Sequence, residues 1–189
     1  MSNSFSGEPG LRVFVAALIP QEIKNEIKQY VDEVRSHWDG VKWESQEKLH
    51  LTLKFLGELE ESKVVQIEKQ VGETANFYSP FDLEVSRFGG LPDLRNPRVL
   101  FIGLAENAGL SKFQKELEER LTELGFKRED RRFIPHVTVG RIKGKSRIKG
   151  SLPLPKRLPF FITEVAVMKS VLKREGSKHA PLSVFRLGK

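Results

Sequence analysis

The chain of 189 residues contains no cysteine. Disulfides, thiolate metal sites and cysteine nucleophiles are thereby excluded, and a reducing compartment is the natural setting. Membrane-length apolar runs are lacking as well: Leu11 to Pro20 covers about half of the roughly 20 residues a span requires, so it reads as a buried strand. Residues 1–10 are small, polar and turn-forming, without the apolar stretch of a signal peptide, and read as a flexible tail. The expectation is a cytoplasmic protein with one domain over residues 11–189.

What is present points toward an anionic partner. Lysine and arginine number 32 against 25 acidic residues, a net charge of +7 with a pI near 9.6. Nucleic acid is the commonest partner of such a surface, and a generally basic solvated exterior is the plainer account. Hydrophobic residues at 39% and charged residues at 30% describe a globular protein, either one domain or two small lobes folded as a unit.

The hydrophobic pattern alternates strands with helices. Arg12 to Ile19 reads as a strand closed by Pro20, and Ile23, Ile27, Val31 and Val34 mark an amphipathic helix to about His37. A motif strand over Leu49–Leu56, a helix over about Glu61–Val71 and a strand over Phe81–Phe88 follow. The second half begins again with a strand over Arg98–Leu104. Leu110, Phe113, Leu117, Leu121 and Leu124 then form a helical stripe stopped by Gly125, and Phe133–Val139 is a second motif strand. A basic loop over 141–149, a proline-rich connection, and closing strands over Phe160–Val171 and Leu182–Leu187 complete the chain. The fold class is α+β: two lobes of mainly antiparallel sheet related by a pseudo-two-fold axis, helices outside, a cleft between.

Two of the four histidines stand in one motif, His50-Leu51-Thr52 and His136-Val137-Thr138, 86 residues apart (136 minus 50). The same offset links Arg12-Val13 to Arg98-Val99. A pair arising by accident is roughly a one-in-a-few-hundred event before the repeat is considered. On a strand, alternate side chains share a face, which groups His50, Thr52 and Lys54, and likewise His136 with Thr138. Imidazole titrates near 6.5, so one ring can donate a proton while the other accepts one. The threonine hydroxyls can donate to the oxygens of an anion held between them. This is the equipment of phosphoryl transfer. Neither motif contains a carboxylate or the third ligand of a zinc site, so no metal is expected.

The stretches His50-Leu-Thr-Leu-Lys-Phe-Leu-Gly57 and Pro135-His-Val-Thr-Val-Gly-Arg141 resemble the 2H phosphoesterase superfamily, in its RNA 2′,3′-cyclic phosphodiesterase branch, also called 2′-5′ RNA ligase. The likeness extends to Arg12-Val-Phe-Val-Ala, Trp43 and Arg132-Phe-Ile-Pro135, nearly the whole chain. It implies a metal-independent enzyme without cofactor that opens a 2′,3′-cyclic phosphate at an RNA end to a 2′-phosphate. His50 would be the proton donor and His136 the proton acceptor, with Thr52, Thr138 and Arg141 on the phosphate. In reverse, the site would join RNA ends without ATP through a 2′-5′ linkage.

Strict alternation puts Arg141 on the wrong face, which predicts a bulge or strand end at Gly140. At the repeat offset Arg141 corresponds to Phe55, where core packing is the plainer reading and base stacking the functional one. Such a pair would make a symmetric cleft directional. His179 stands where the family more often has tyrosine, and no role is carried onto it. Arg12 and Arg98 are explained by ion pairs at strand starts as well as by substrate contacts. The expected partner is RNA with cyclic phosphate ends, tRNA halves among the candidates, bound by a monomer with no membrane contact. Competing readings are a 2H enzyme for small cyclic phosphates such as ADP-ribose 1″,2″-cyclic phosphate, and a non-catalytic RNA-binding module.

Overall fold

A computed structural model describes residues 11–144, 148–173 and 176–188, the side chain of Lys173 excepted. The expected tail over 1–10, and Lys145 and Arg147 of the basic loop, lie outside the described residues. Among the described residues nine strands and three α-helices run in the order β1 (Leu11–Leu18), α1 (Gln21–Val34), β2 (Val41–Trp43), β3 (His50–Leu59), α2 (Val64–Asn76), β4 (Phe81–Leu91), β5 (Val99–Leu104), α3 (Ala108–Glu123), β6 (His136–Ile142), β7 (Pro159–Ile162), β8 (Glu164–Lys173) and β9 (Gly176–Arg186). No helix among the described residues is long and apolar enough to cross a membrane.

The helices form where three- and four-residue apolar spacing meets proper ends. On α3 the Asn107 side chain caps the start by accepting from the Leu110 amide at 2.8 Å. Gly125 at φ +88 ends it, with Phe126 N–H on the Leu121 carbonyl and Gly125 N–H on that of Thr122, a Schellman closure.

The sheet runs β7-β4-β5-β6-β3-β1-β8-β9, with β2 added alongside β6. Its two four-stranded halves do not coincide with the halves of the chain. β4, which follows α2, joins β5 and β6, whereas β8 and β9 return to β1. The helices cross over too: Tyr30 and Trp38 lie against Phe88 of β4, while α3 reaches β3 through Gln114, which donates to the Leu53 carbonyl. The lobes are therefore interlocked.

Sequence and structure differ at several boundaries. β4 continues through Gly89-Gly90 because those glycines let the Phe101 ring of β5 lie flat on the strand, where a Cβ at Gly89 would stand 2.3 Å from it. The strand expected over Phe160–Val171 is two: β7 pairs with β4, and β8 with β1. β2 is too short for its pattern to show in sequence, and it exists because β6 offers it an edge.

One residue pair, Leu51 with Val137, joins the two half-sheets. Both side chains are fully buried, a contribution of about 1.5–3 kcal/mol each. Helices cover that face, and the opposite face is the cleft.

Candidate active site

The Leu51–Val137 pair decides the site. In antiparallel pairing its neighbours fall opposite one another, His50 with Thr138 and Thr52 with His136. Because Leu51 and Val137 point into the core, these four side chains share the cleft face. Each histidine then meets the same local constraint. His50 Nδ1 lies 2.6 Å from the Lys48 carbonyl, and His136 Nδ1 2.7 Å from the Ile134 carbonyl. A carbonyl oxygen only accepts, so both Nδ1 atoms carry hydrogen and both Nε2 atoms are left for a substrate.

Both motif strands carry a bulge at the repeat-equivalent residue. Ala16 pairs with Thr52 but Val15 with Lys54, which makes Leu53 the extra residue. Phe101 pairs with Thr138 but Leu100 with Gly140, which makes Val139 its counterpart. The bulge expected at Gly140 is thus present, one residue earlier. It turns Arg141 onto the cleft face with His136 and Thr138. The corresponding burial patterns agree residue for residue from His50 to Phe55 and from His136 to Arg141.

Two expectations are corrected by the same device. Lys54 does not share the face of His50 and Thr52: the bulge turns it inward, only 5% exposed, onto Glu118 of α3 and the Lys127 carbonyl. Phe55 is not core packing. It is 71% exposed on the cleft side, its ring 6.0 Å from that of Phe14.

The two half-sites differ in their surroundings. Phe14 packs against His50 at 4.9 Å between ring centroids, and His179 of β9 stands edge-on to His50 at 5.5 Å. Burial, then the positive charge His179 can carry, holds the His50 imidazole down at about 4, with Lys24 and Arg141 acting the same way and the Lys48 carbonyl opposing. His179 is itself held below its ordinary value, by burial first and then by Lys48 and Arg141, against Glu44. Around His136 the neighbour is Phe101, at 5.3 Å.

Arg141 is steadied by a carboxylate that sequence reasoning passed over. Its Nε donates to Glu44 Oε1 at 3.2 Å, and the other Glu44 oxygen pairs with Lys48 at 3.5 Å. Two cations share one carboxylate, which leaves the cleft a net positive charge. Phe14 and His179 reach the cleft on β1 and β9, and Glu44 and Lys48 from the non-strand segment between β2 and β3; no local pattern marks any of the four. Arg12 spends its charge on Glu58 of the neighbouring strand, as the ion-pair reading expected. Among the described residues no group of three or more histidine or carboxylate side chains is placed to hold a metal ion.

Two imidazoles with free Nε2 atoms, two hydroxyls and an arginine on one face can hold an anion and move protons on either side of it. The family model described as LigT like Phosphoesterase matches residues 18–101 and again 102–177, so it recognises both copies of the repeat. The protein named RNA 2′,3′-cyclic phosphodiesterase from Archaeoglobus fulgidus is 38% identical over 93% of this chain and 99% of its own length. Among solved structures, TT0787 of Thermus thermophilus superposes with a TM-score of 0.83 at 28% identity, covering 94% of this chain and 99% of that one. E. coli LigT complexed with 3′-AMP gives 0.80 at 26%, over 96% and 100%.

Proposed function

Because the chain belongs to the LigT-like phosphoesterase family, we propose that it hydrolyses 2′,3′-cyclic phosphate ends of RNA to 2′-phosphates, with His50 and His136 as the acid–base pair. The Leu51–Val137 bridge is the observation that carries this reading, since it brings two tautomer-fixed imidazoles onto one face, each across from a threonine. His136 Nε2 takes a proton from water, whose oxygen attacks phosphorus. His50 Nε2 protonates the departing 3′ oxygen, and the phosphate stays on O2′. Thr52, Thr138 and Arg141 donate to the nonbridging oxygens as charge builds there. With an RNA 5′-hydroxyl in place of water, His136 takes its proton, O3′ again departs onto the His50 proton, and two ends are joined by a 2′-5′ linkage.

His50 is uncharged in the free protein at neutral pH, so it takes up a proton from solvent as the substrate binds. An anionic phosphate against Nε2 raises the imidazole's affinity for a proton. The exposed Phe55 ring and the Arg141 guanidinium, at equivalent places in the two strands, make the cleft directional, with Phe55 offered to a base. RNA ends such as tRNA halves in a reducing cytoplasm suit this chemistry, and one chain suffices for it.

Product analysis on an RNA ending in 2′,3′-cyclic phosphate is the test. A 2′-phosphate is expected, with His50→Ala and His136→Ala each lowering kcat by about 10²–10⁴. A 3′-phosphate would mean that O2′ departs and would reverse the assigned geometry. Full activity in either variant, or abolition by EDTA, refutes the mechanism.

A further inference from the structure

Strand register places three residues in a row across the second half-sheet: His136 on β6, Gly103 on β5 and Arg87 on β4. Adjacent strands lie about 4.8 Å apart, so Arg87 starts roughly 10 Å from His136 with a residue that has no side chain between them. The Arg87 side chain occupies that gap. A Cβ at Gly103 would stand 2.8 Å from Arg87 Cγ and 3.0 Å from its Nε. Phe88, the next residue on β4, faces the Tyr30 and Trp38 rings on the helix side, so Arg87 lies on the cleft side.

The guanidinium also has a prepared floor. Its carbon is 5.9 Å from the centre of the Phe101 ring, the ring that rests on Gly89 and flanks His136. Arg87 forms no ion pair among the described residues, whereas Arg141 is committed to Glu44. An exposed arginine poised over an aromatic ring keeps its planar fork of donors for a ligand. In the first half-sheet the residue across from His50 is Leu18, which packs on the small cluster around Phe14 and fills the place that Gly103 leaves open. The opening that admits Arg87 across from His136 therefore has no counterpart across from His50.

We infer that Arg87, laid across Gly103 on the Phe101 ring, is a second phosphate-binding position that takes an internal phosphodiester of the RNA strand beside the reacting end. The inference rests on the proposed function. One phosphate sits between the histidines and the other on Arg87, so the preferred substrate carries at least one internal linkage. A free cyclic mononucleotide fills half of the site.

Calorimetric binding of 2′-phosphate-terminated dinucleotides separates this from the catalytic reading, because it needs no turnover. One ligand has an ordinary phosphodiester linkage and the other an uncharged methylphosphonate. The wild-type chain is expected to favour the charged linkage by about tenfold, and Arg87→Gln to lose that preference, with Arg87→Lys recovering part of it. The kcat/KM ratio of cyclic dinucleotide over cyclic mononucleotide should fall correspondingly in Arg87→Gln. Equal wild-type affinity for the two linkages, or a preference that survives in Arg87→Gln, overturns the inference. So does a larger Arg87-dependent gain for ADP-ribose 1″,2″-cyclic phosphate than for the dinucleotide. If the linkage preference appears without hydrolysis of any cyclic phosphate, the proposed function fails and Arg87 stands.

Discussion

His50 and His136 share a motif, a tautomer and a carbonyl partner two residues back, yet their settings differ. His50 is pressed between Phe14 and the edge of His179, and burial together with that neighbour's charge holds it at about 4. Its charge is therefore absent at neutral pH in the empty cleft. An NMR titration of the imidazole Cε1 signal should show a midpoint near 4. His179→Phe keeps a ring in place but removes a charge that opposes protonation, so the midpoint rises; a bound 2′-nucleotide, adding negative charge, also raises it. An unchanged midpoint in His179→Phe would remove His179 from any part in setting His50.

The working element is the bulged strand, used twice. A bulge after each threonine reverses the alternation, so that Lys54 turns inward and Phe55 outward, as Gly140 and Arg141 do in the partner strand. The inward lysine is then tied to α3 through Glu118, whose same oxygen also accepts from the Glu129 amide at 2.8 Å. The loop leading to His136 is thereby anchored to the strand that carries His50. Removing one partner of a buried ion pair strands the other charge, so Lys54→Met should cost about 3–5 kcal/mol in urea unfolding. Lys54→Met combined with Glu118→Leu should recover much of that loss, because neither charge is left buried alone. A single-variant cost below about 1 kcal/mol would show that the pair contributes little.

At the scale of the whole molecule, the exchanged strands make the lobes one unit. β4 completes the lobe of β5 and β6, while β8 and β9 complete that of β1 and β3. A cut in the β4–β5 connection at residues 92–97 leaves each fragment with an unpaired β-edge and uncovered apolar face. The two fragments should therefore be unfolded alone by circular dichroism, regain structure when mixed, and the intact chain should melt in one transition. Independent folding of either fragment would contradict the interlocked description. The proposed active site straddles the junction, so assembly and activity should return together.

Much of the site was legible in the sequence. The repeated His-x-Thr at a fixed offset named the four central residues, and period-two alternation placed Leu51 and Val137 in the core. The misplacement of Arg141 under that same alternation called for the bulge that is found. Lys54 and Phe55 were misread because an identical bulge on the first strand leaves no mark in composition, only in the pairing of Val15 and Ala16 across from it. His179 and Arg87 could not be found from local pattern, since each reaches the cleft on a strand whose neighbours are fixed by long-range register, and Glu44 meets Arg141 only because β2 pairs with β6. Side-chain periodicity is a local property, so the sequence alone determined the paired His-x-Thr groups and the face those four residues share. Which distant residues border that chemistry depends on strand order and register, and these were decided only when the two half-sheets closed over the Leu51–Val137 pair.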